Sequence, residues 1–283
     1  MSLLQVKKEF EFLTTTTWHS LELANSNSIS IRETSISDMM FLYLTQKRLS
    51  SVKTYATPHH LEKYIGTDWV WSIGSDKLGW LWFAIQAKKY NTLDKRYVSL
   101  SHPVNGREQY EILRDFTNLP SWQCIPLYAL FNYVDKNHEL DYKINCKGKK
   151  DKNFYISTTL SKRKYHWADL GFTITPLKTV EQILVQKTLS NNFFYIHALE
   201  ETISLPELIE LAYIYLLSID SESKVNTKNN GYFSEKILDP KKQEIFGYSA
   251  IKHDFPATEI TSNDFPLPKY IAAINIGETD ESK

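Results

Sequence analysis

The chain has 283 residues, 42% of them apolar and 13% aromatic, which is enough for a sizeable core and excludes a disordered tail. Its 33 basic and 33 acidic residues cancel, so long-range steering toward a polyanion is excluded and any nucleic-acid contact must come from a local patch. The two cysteines, Cys124 and Cys146, lack histidines at ligand spacing, which excludes a thiolate–imidazole metal cage and leaves both thiols reduced and structural.

In chain order, residues 1–32 carry a Thr14–Thr17 run and an Asn/Ser-rich stretch at 25–28, and read as an irregular extension. The opening residues lack an apolar core of signal-peptide length, and no segment approaches the roughly 18 uninterrupted apolar residues of a membrane span, so a cytoplasmic protein is expected. From Glu33 the spacing of Ile36, Met39, Met40, Tyr43 and Leu44 predicts a helix ending near Ser50. Residues 52–65 are ambiguous, with Pro58 and His59-His60 arguing for a loop.

Alternation then predicts a strand over 66–73, with Asp68 and Val70 on one face and Trp69, Trp71 and Ile73 on the other. The Gly74–Gly79 turn predicts a hairpin into a second strand, 80–89, which places Gln86 and Lys88 on one face with Trp82 and Ala84. A helix over 107–116 and a buried strand over 125–134 follow. Further on, a basic span holds Lys147, Lys149, Lys150, Lys152, Lys162, Arg163 and Lys164, then an amphipathic helix spans 205–219, a polar linker 221–231 and a short strand 270–276. The order of elements predicts an α/β sandwich around a mixed sheet, with residues 33–145 as its core and 146–283 as an α-rich extension or part of the same domain.

An acid on one apolar strand and a Gln-x-Lys pair ending the next are the groups that metal-assisted phosphodiester hydrolysis needs. A Mg²⁺ or Mn²⁺ ion bound through oxygen activates water and neutralises phosphate charge. Asp68 supplies a charged ligand, the Gln86 side chain and the Ala87 carbonyl supply neutral ones, and Lys88 orients water or balances the developing charge. The bare triplet recurs at Gln5, Asp141, Glu222, Asp239 and Glu281, so only the paired-strand context singles out Gln86. The competing reading makes these ordinary polar residues on two solvent-facing strands. Tyr90 and Tyr97 either stack on a sugar or base or pack against the hairpin, and the scattered histidines have no ligand rhythm.

These elements resemble the PD-(D/E)XK nuclease superfamily, closest to the Mrr-like branch in which Gln replaces the usual acid. More narrowly, residues 31–134 resemble a bacterial family of poorly characterised proteins, through Arg32-Glu33-Thr-Ser-Ile-Ser-Asp38, Glu62 to Trp71, Gln86-Ala-Lys88, Gln109, and Pro126-Leu-Tyr128 to Asn132. Two positions depart from that pattern, Thr67 and Val70, and neither counts as a site residue.

The resemblance implies a restriction-endonuclease-like αβββαβ core, a metal-dependent endonuclease, and by analogy a role in defence against foreign DNA. Because Gln86 carries one negative charge fewer than the usual acid, a further carboxylate is needed, and Glu33 is the first candidate and Glu62 the second. Expected partners are DNA, with RNA as the alternative, and a second copy of the chain or a companion subunit of a defence system. Lys147, Lys149, Lys150, Lys162 and Arg163 are the candidate contacts to the polynucleotide. The alternative function is a catalytically silent module of the same fold that binds nucleic acid or a partner protein.

Overall fold

The computed structural model of the protein describes residues 3–47, 51–57, 65–119, 122, 124–135, 167–185, 191, 193–197, 199, 201–219 and 268–277. Its elements are α1 (Leu3–Ser26), α2 (Glu33–Gln46), β1 (Val52–Ala56), β2 (Trp69–Ser75), β3 (Gly79–Lys89), β4 (Pro103–Val104), β5 (Arg107–Glu108), α3 (Gln109–Thr117), β6 (Ile125–Phe131), β7 (Phe172–Pro176), α4 (Leu177–Val185), α5 (Phe193–His197), β8 (Ile203–Ser204), α6 (Leu205–Ile219) and β9 (Tyr270–Asn275). The small strands β4 and β5 pair only with each other.

The other strands form one seven-stranded mixed sheet in the order β1-β9-β2-β3-β6-β7-β8. β2 and β3 are antiparallel, with Trp69 opposite Ile85 and Trp71 opposite Phe83. β6 runs parallel to β3, with Gln86 beside Tyr128. Both central strands are buried along almost their whole length, so the solvent-facing reading of β2 and β3 fails. Helices on both sides of the sheet cover both faces of these strands.

The two faces divide as the alternation predicts. Trp69 and Trp71 meet Phe10 of α1, Phe41 of α2, and Phe131 and Phe172 of the sheet in a continuous aromatic cluster. On the other face Trp82 packs edge-on against Trp122, which also touches Phe116 of α3. Gln86 and Lys88 share that second face, beneath α3.

Residues 3–26 correct the expectation of an irregular N-terminus. They form a helix whose Val6, Phe10, Leu13, Trp18, Leu21 and Ala24 are buried. The β-branched threonines are weak helix formers, but Thr14 and Thr17 turn their hydroxyls back to the carbonyls of Phe10 and Leu13, and tertiary burial decides the conformation. The 52–65 segment contains β1, and the 107–116 helix begins at Gln109, because Arg107–Glu108 pairs with Pro103–Val104.

The C-terminal half is no appendage to the sheet. β7 and β8 extend one side of it, and β9 inserts between β1 and β2, pairing parallel with β2. The 205–219 helix stands as expected. Glu62, Cys146, the basic residues of 147–164 and the 221–231 linker lie outside the described residues.

Candidate functional site

Three segments converge at the end of β3. The first is the approach to β2. Gly66 sits at φ +72°, and a Cβ there would lie 2.6 Å from the Leu113 backbone nitrogen. Glycine alone lets the chain pass this close to α3 with positive φ. The next residue is pinned as well, since the Thr67 hydroxyl reaches the carbonyl oxygens of Trp69 and Ile85. The Asp68 backbone N–H donates to Ile85, which aims the carboxylate at β3.

The second segment is β3 itself. Asp68 Oδ2 accepts from the Gln86 side-chain amide at 2.5 Å and from the Ala87 backbone N–H at 2.6 Å. Gln86 and Lys88 are each 3% exposed. The third segment is α3, whose start is fixed by a capping box between Glu108 and Glu111. Gln109, the first residue of that helix, is also buried. Its Oε1 accepts from Lys88 Nζ at 2.5 Å, and its Nε2 donates to Gln86 Oε1 at 2.6 Å.

A directional chain results, from Lys88 through Gln109 and Gln86 to Asp68. An ammonium can only donate and an ionised carboxylate can only accept, so the two ends dictate how both amides are turned. The Gln86 NH₂ group faces Asp68 and also lies 3.2 Å from the Ala87 carbonyl, while its oxygen faces Gln109.

Glu33, the first residue of α2, closes the site from the far side of the β3 end. Its Oε1 accepts from the Lys89 backbone N–H at 2.8 Å and from the Ser99 hydroxyl at 3.3 Å. A carboxylate at this helix position is favoured by the backbone dipole. Its charge reaches both Asp68 and Lys88. Burial pushes the Asp68 carboxyl up to about 6, assisted by Glu33 and opposed by the Ala87 N–H and the Lys88 charge. Burial pushes the Lys88 ammonium down, and Glu33 and Asp68 partly restore it.

The structure therefore brings Glu33, Asp68, Gln86, Ala87 and Lys88 together. Gln109, which the sequence marked only as a position of the family pattern, joins them as a full member of the hydrogen-bond chain. Among the described residues, no group of three or more His, Cys, Asp or Glu side chains clusters to hold a metal. A cation here would rest on two carboxylates, Asp68 and Glu33, and on neutral oxygens.

Other expectations fare differently. Tyr97 is fully buried, contacts Tyr90 edge-on and donates its hydroxyl to Asn132, so it is not free to stack on a base. Cys124 is buried and in no disulfide, its thiol donating to the Trp122 carbonyl at 3.5 Å. His197 lies in the core, where Nδ1 pairs with the Phe193 carbonyl at 2.8 Å and Nε2 with the Thr173 hydroxyl at 2.8 Å. Burial pushes its pKa down to about 4, and it has no ligand role. No described helix is long and apolar enough to cross a membrane.

Comparison with curated proteins and with solved structures finds no match. A family model covers residues 7–209, a span that includes Glu33, Asp68, Gln86, Lys88 and Gln109, and the chain belongs to that family, a family of unknown function (DUF6615).

Proposed function

We propose that this protein is a divalent-metal-dependent nuclease of the PD-(D/E)XK kind, cleaving phosphodiester bonds of DNA, with RNA as the alternative substrate, in cytoplasmic defence against foreign DNA. One observation carries the reading. Asp68, Gln86 and Lys88, drawn from adjacent strands, belong to one buried hydrogen-bond chain at the end of β3, where isolated surface polar residues would have no reason to meet.

The donor set fits a hard cation. It contains only oxygen ligands, and Mg²⁺ characteristically takes one or two carboxylates and completes its shell with water and substrate phosphate. Asp68 and Glu33 would supply the charge, and the Ala87 carbonyl and the Gln86 side-chain oxygen the neutral contacts. Bound Mg²⁺ or Mn²⁺ supplies a lowered water pKa and Lewis acidity toward the phosphate.

The chain's own residues do the rest. Lys88 holds a cationic donor in a nearly dry site, where it stabilises the extra negative charge of the pentavalent phosphorus more strongly than it would in water. Gln109 fixes Lys88 and Gln86 in place. Presenting the Gln86 oxygen toward Asp68 requires its amide to turn over. Gln109 must then turn as well, and its NH₂ group can no longer accept from Lys88. In that arrangement Lys88 would lose its acceptor on Gln109 and its ammonium would be left to face the developing phosphate charge.

A cleavage assay on plasmid DNA, with and without EDTA, tests the proposal. Wild type is expected to cut only with metal present, and Asp68→Ala and Lys88→Ala to lose activity on the order of 10²-fold or more. Metal-independent cutting, or full activity in both variants, contradicts it. The silent-module reading has one observation in its favour: Gln86 presents its NH₂ group, not its oxygen, to Asp68. It predicts binding of polynucleotide or protein partner with no cleavage under any metal.

A further inference from the structure

Just beyond the end of β3 lies a half-open cavity of about 390 Å³, lined by the last turn of α1, the linker at 28–31 and the turn at 89–93. Lys89 is a shared wall between this cavity and the candidate site. Its backbone N–H holds Glu33 at 2.8 Å, while its Nζ is tied to the Ile31 carbonyl at 2.5 Å. Tyr133 lines the cavity at 8% exposure. Its ring packs edge-on against Trp18 at 5.4 Å, and its hydroxyl has no hydrogen-bond partner among the described residues.

The lining narrows the class of ligand. The volume falls in the range of small-molecule sites, about 300–1,000 Å³. Leu21, Ile29 and Ile31 give apolar walls, and Ser30 and Asn25 add polar groups at the rim. Among the described residues no carboxylate lines the cavity, and the Lys89 ammonium is already committed to Ile31. Burial, followed by the charges of Glu22 and Asp135, pushes the Tyr133 hydroxyl above the ordinary phenol range, so it is a neutral donor. Apolar walls with a neutral hydroxyl and polar groups at the rim suit a flat, uncharged heterocycle with hydrogen-bonding edges.

We infer that this cavity receives a nucleobase, extruded or single-stranded, from the nucleotide adjoining the cleaved phosphodiester, with Tyr133 reading its edge and Ile29 and Ile31 covering its face. The inference rests on the nuclease reading, because the Lys89 wall sets the base next to the Glu33 side of that site. Enzymes that admit a base to a pocket pay for unstacking it, so mismatched or single-stranded nucleotides enter most readily.

The test uses oligonucleotides carrying a single 2-aminopurine, whose emission is quenched in a base stack, walked along a strand. They are bound to full-length Asp68→Asn protein so that no cleavage intervenes. A several-fold rise in emission at one position is expected, abolished by Ser30→Trp, which fills the cavity from an exposed loop position. Tyr133→Phe, which removes only the hydroxyl, should weaken binding by up to roughly tenfold, as the loss of one hydrogen bond does. Quenched emission at every position, or a rise that both variants leave unchanged, overturns the inference. If wild type cleaves DNA while emission stays quenched, the pocket falls and the nuclease reading stands. A rise without metal-dependent cleavage supports the pocket and removes the nuclease reading. Free 2-aminopurine riboside binding as tightly as the oligonucleotide overturns the placement beside a strand.

Discussion

Lys88 donates to the side-chain oxygen of Gln109 at 2.5 Å, and this contact sets the direction of every hydrogen bond from α3 to Asp68. Replacing Gln109 by Ala leaves the ammonium of Lys88 and the oxygen of Gln86 buried without partners, at a cost of about 1–3 kcal/mol each before water enters. Activity should fall about 10–100-fold, as for lost outer-shell partners of metal sites. Gln109→Glu separates positioning from packing. It keeps the acceptor for Lys88 but cannot donate to Gln86, so stability should recover more than activity. Chemical denaturation beside single-turnover cleavage measures both.

Asp68 is stabilised as the neutral acid. Its folded-state pKa is raised from 3.8 to about 6, so its contribution is fully present below the lower value and is lost as pH rises through the upper one. Asp68→Asn should therefore match wild type in stability near pH 3.5 and exceed it by about 1–3 kcal/mol above pH 6.5. Urea unfolding across that range checks the sign. Added Mn²⁺ should close the gap at neutral pH, because binding to the native state stabilises only wild type.

His197 works in the opposite sense. Its folded-state pKa is lowered from 6.5 to about 4, so the stability it provides is present above the higher value and is lost as pH falls through the lower one. Wild type should lose on the order of 2–3 kcal/mol between pH 7 and pH 4 from this residue. His197→Gln should be less stable at pH 7 and flatter with pH over the same window.

Gly66→Ala tests how Asp68 is aimed. The new Cβ would meet the Leu113 backbone nitrogen at 2.6 Å with φ at +72°, and no flexible side chain is there to yield. A loss of about 2 kcal/mol or more is expected, combining positive-φ strain with backbone displacement. Cleavage should drop further than stability alone explains, measured at a temperature where the variant is still folded.

Much of the site was legible because it lies on two strands with a period of two. Alternation placed Gln86 and Lys88 on one face of β3 and Asp68 on one face of its own segment, and the register of Trp69 with Ile85 puts those two faces on the same side of the sheet. The long helix α1 was not legible. Its threonine run reads as irregular, and only burial of Phe10 and Trp18 against the sheet makes it a helix. Nor was the insertion of β9 beside β2, which joins residues about 200 apart in sequence, since strand order is a non-local property. Gln109 matched the family pattern but received no role for the same reason: its two partners lie 21 and 23 residues away, and helical spacing alone does not show what it faces.

Calorimetric titration of the full chain with Mn²⁺, wild type beside Asp68→Asn, tests the central claim most directly. A single saturable site in wild type that disappears in the variant is the predicted result. Heats that are absent from both proteins, or identical in both, would contradict a metal centre at Asp68 and with it the nuclease reading.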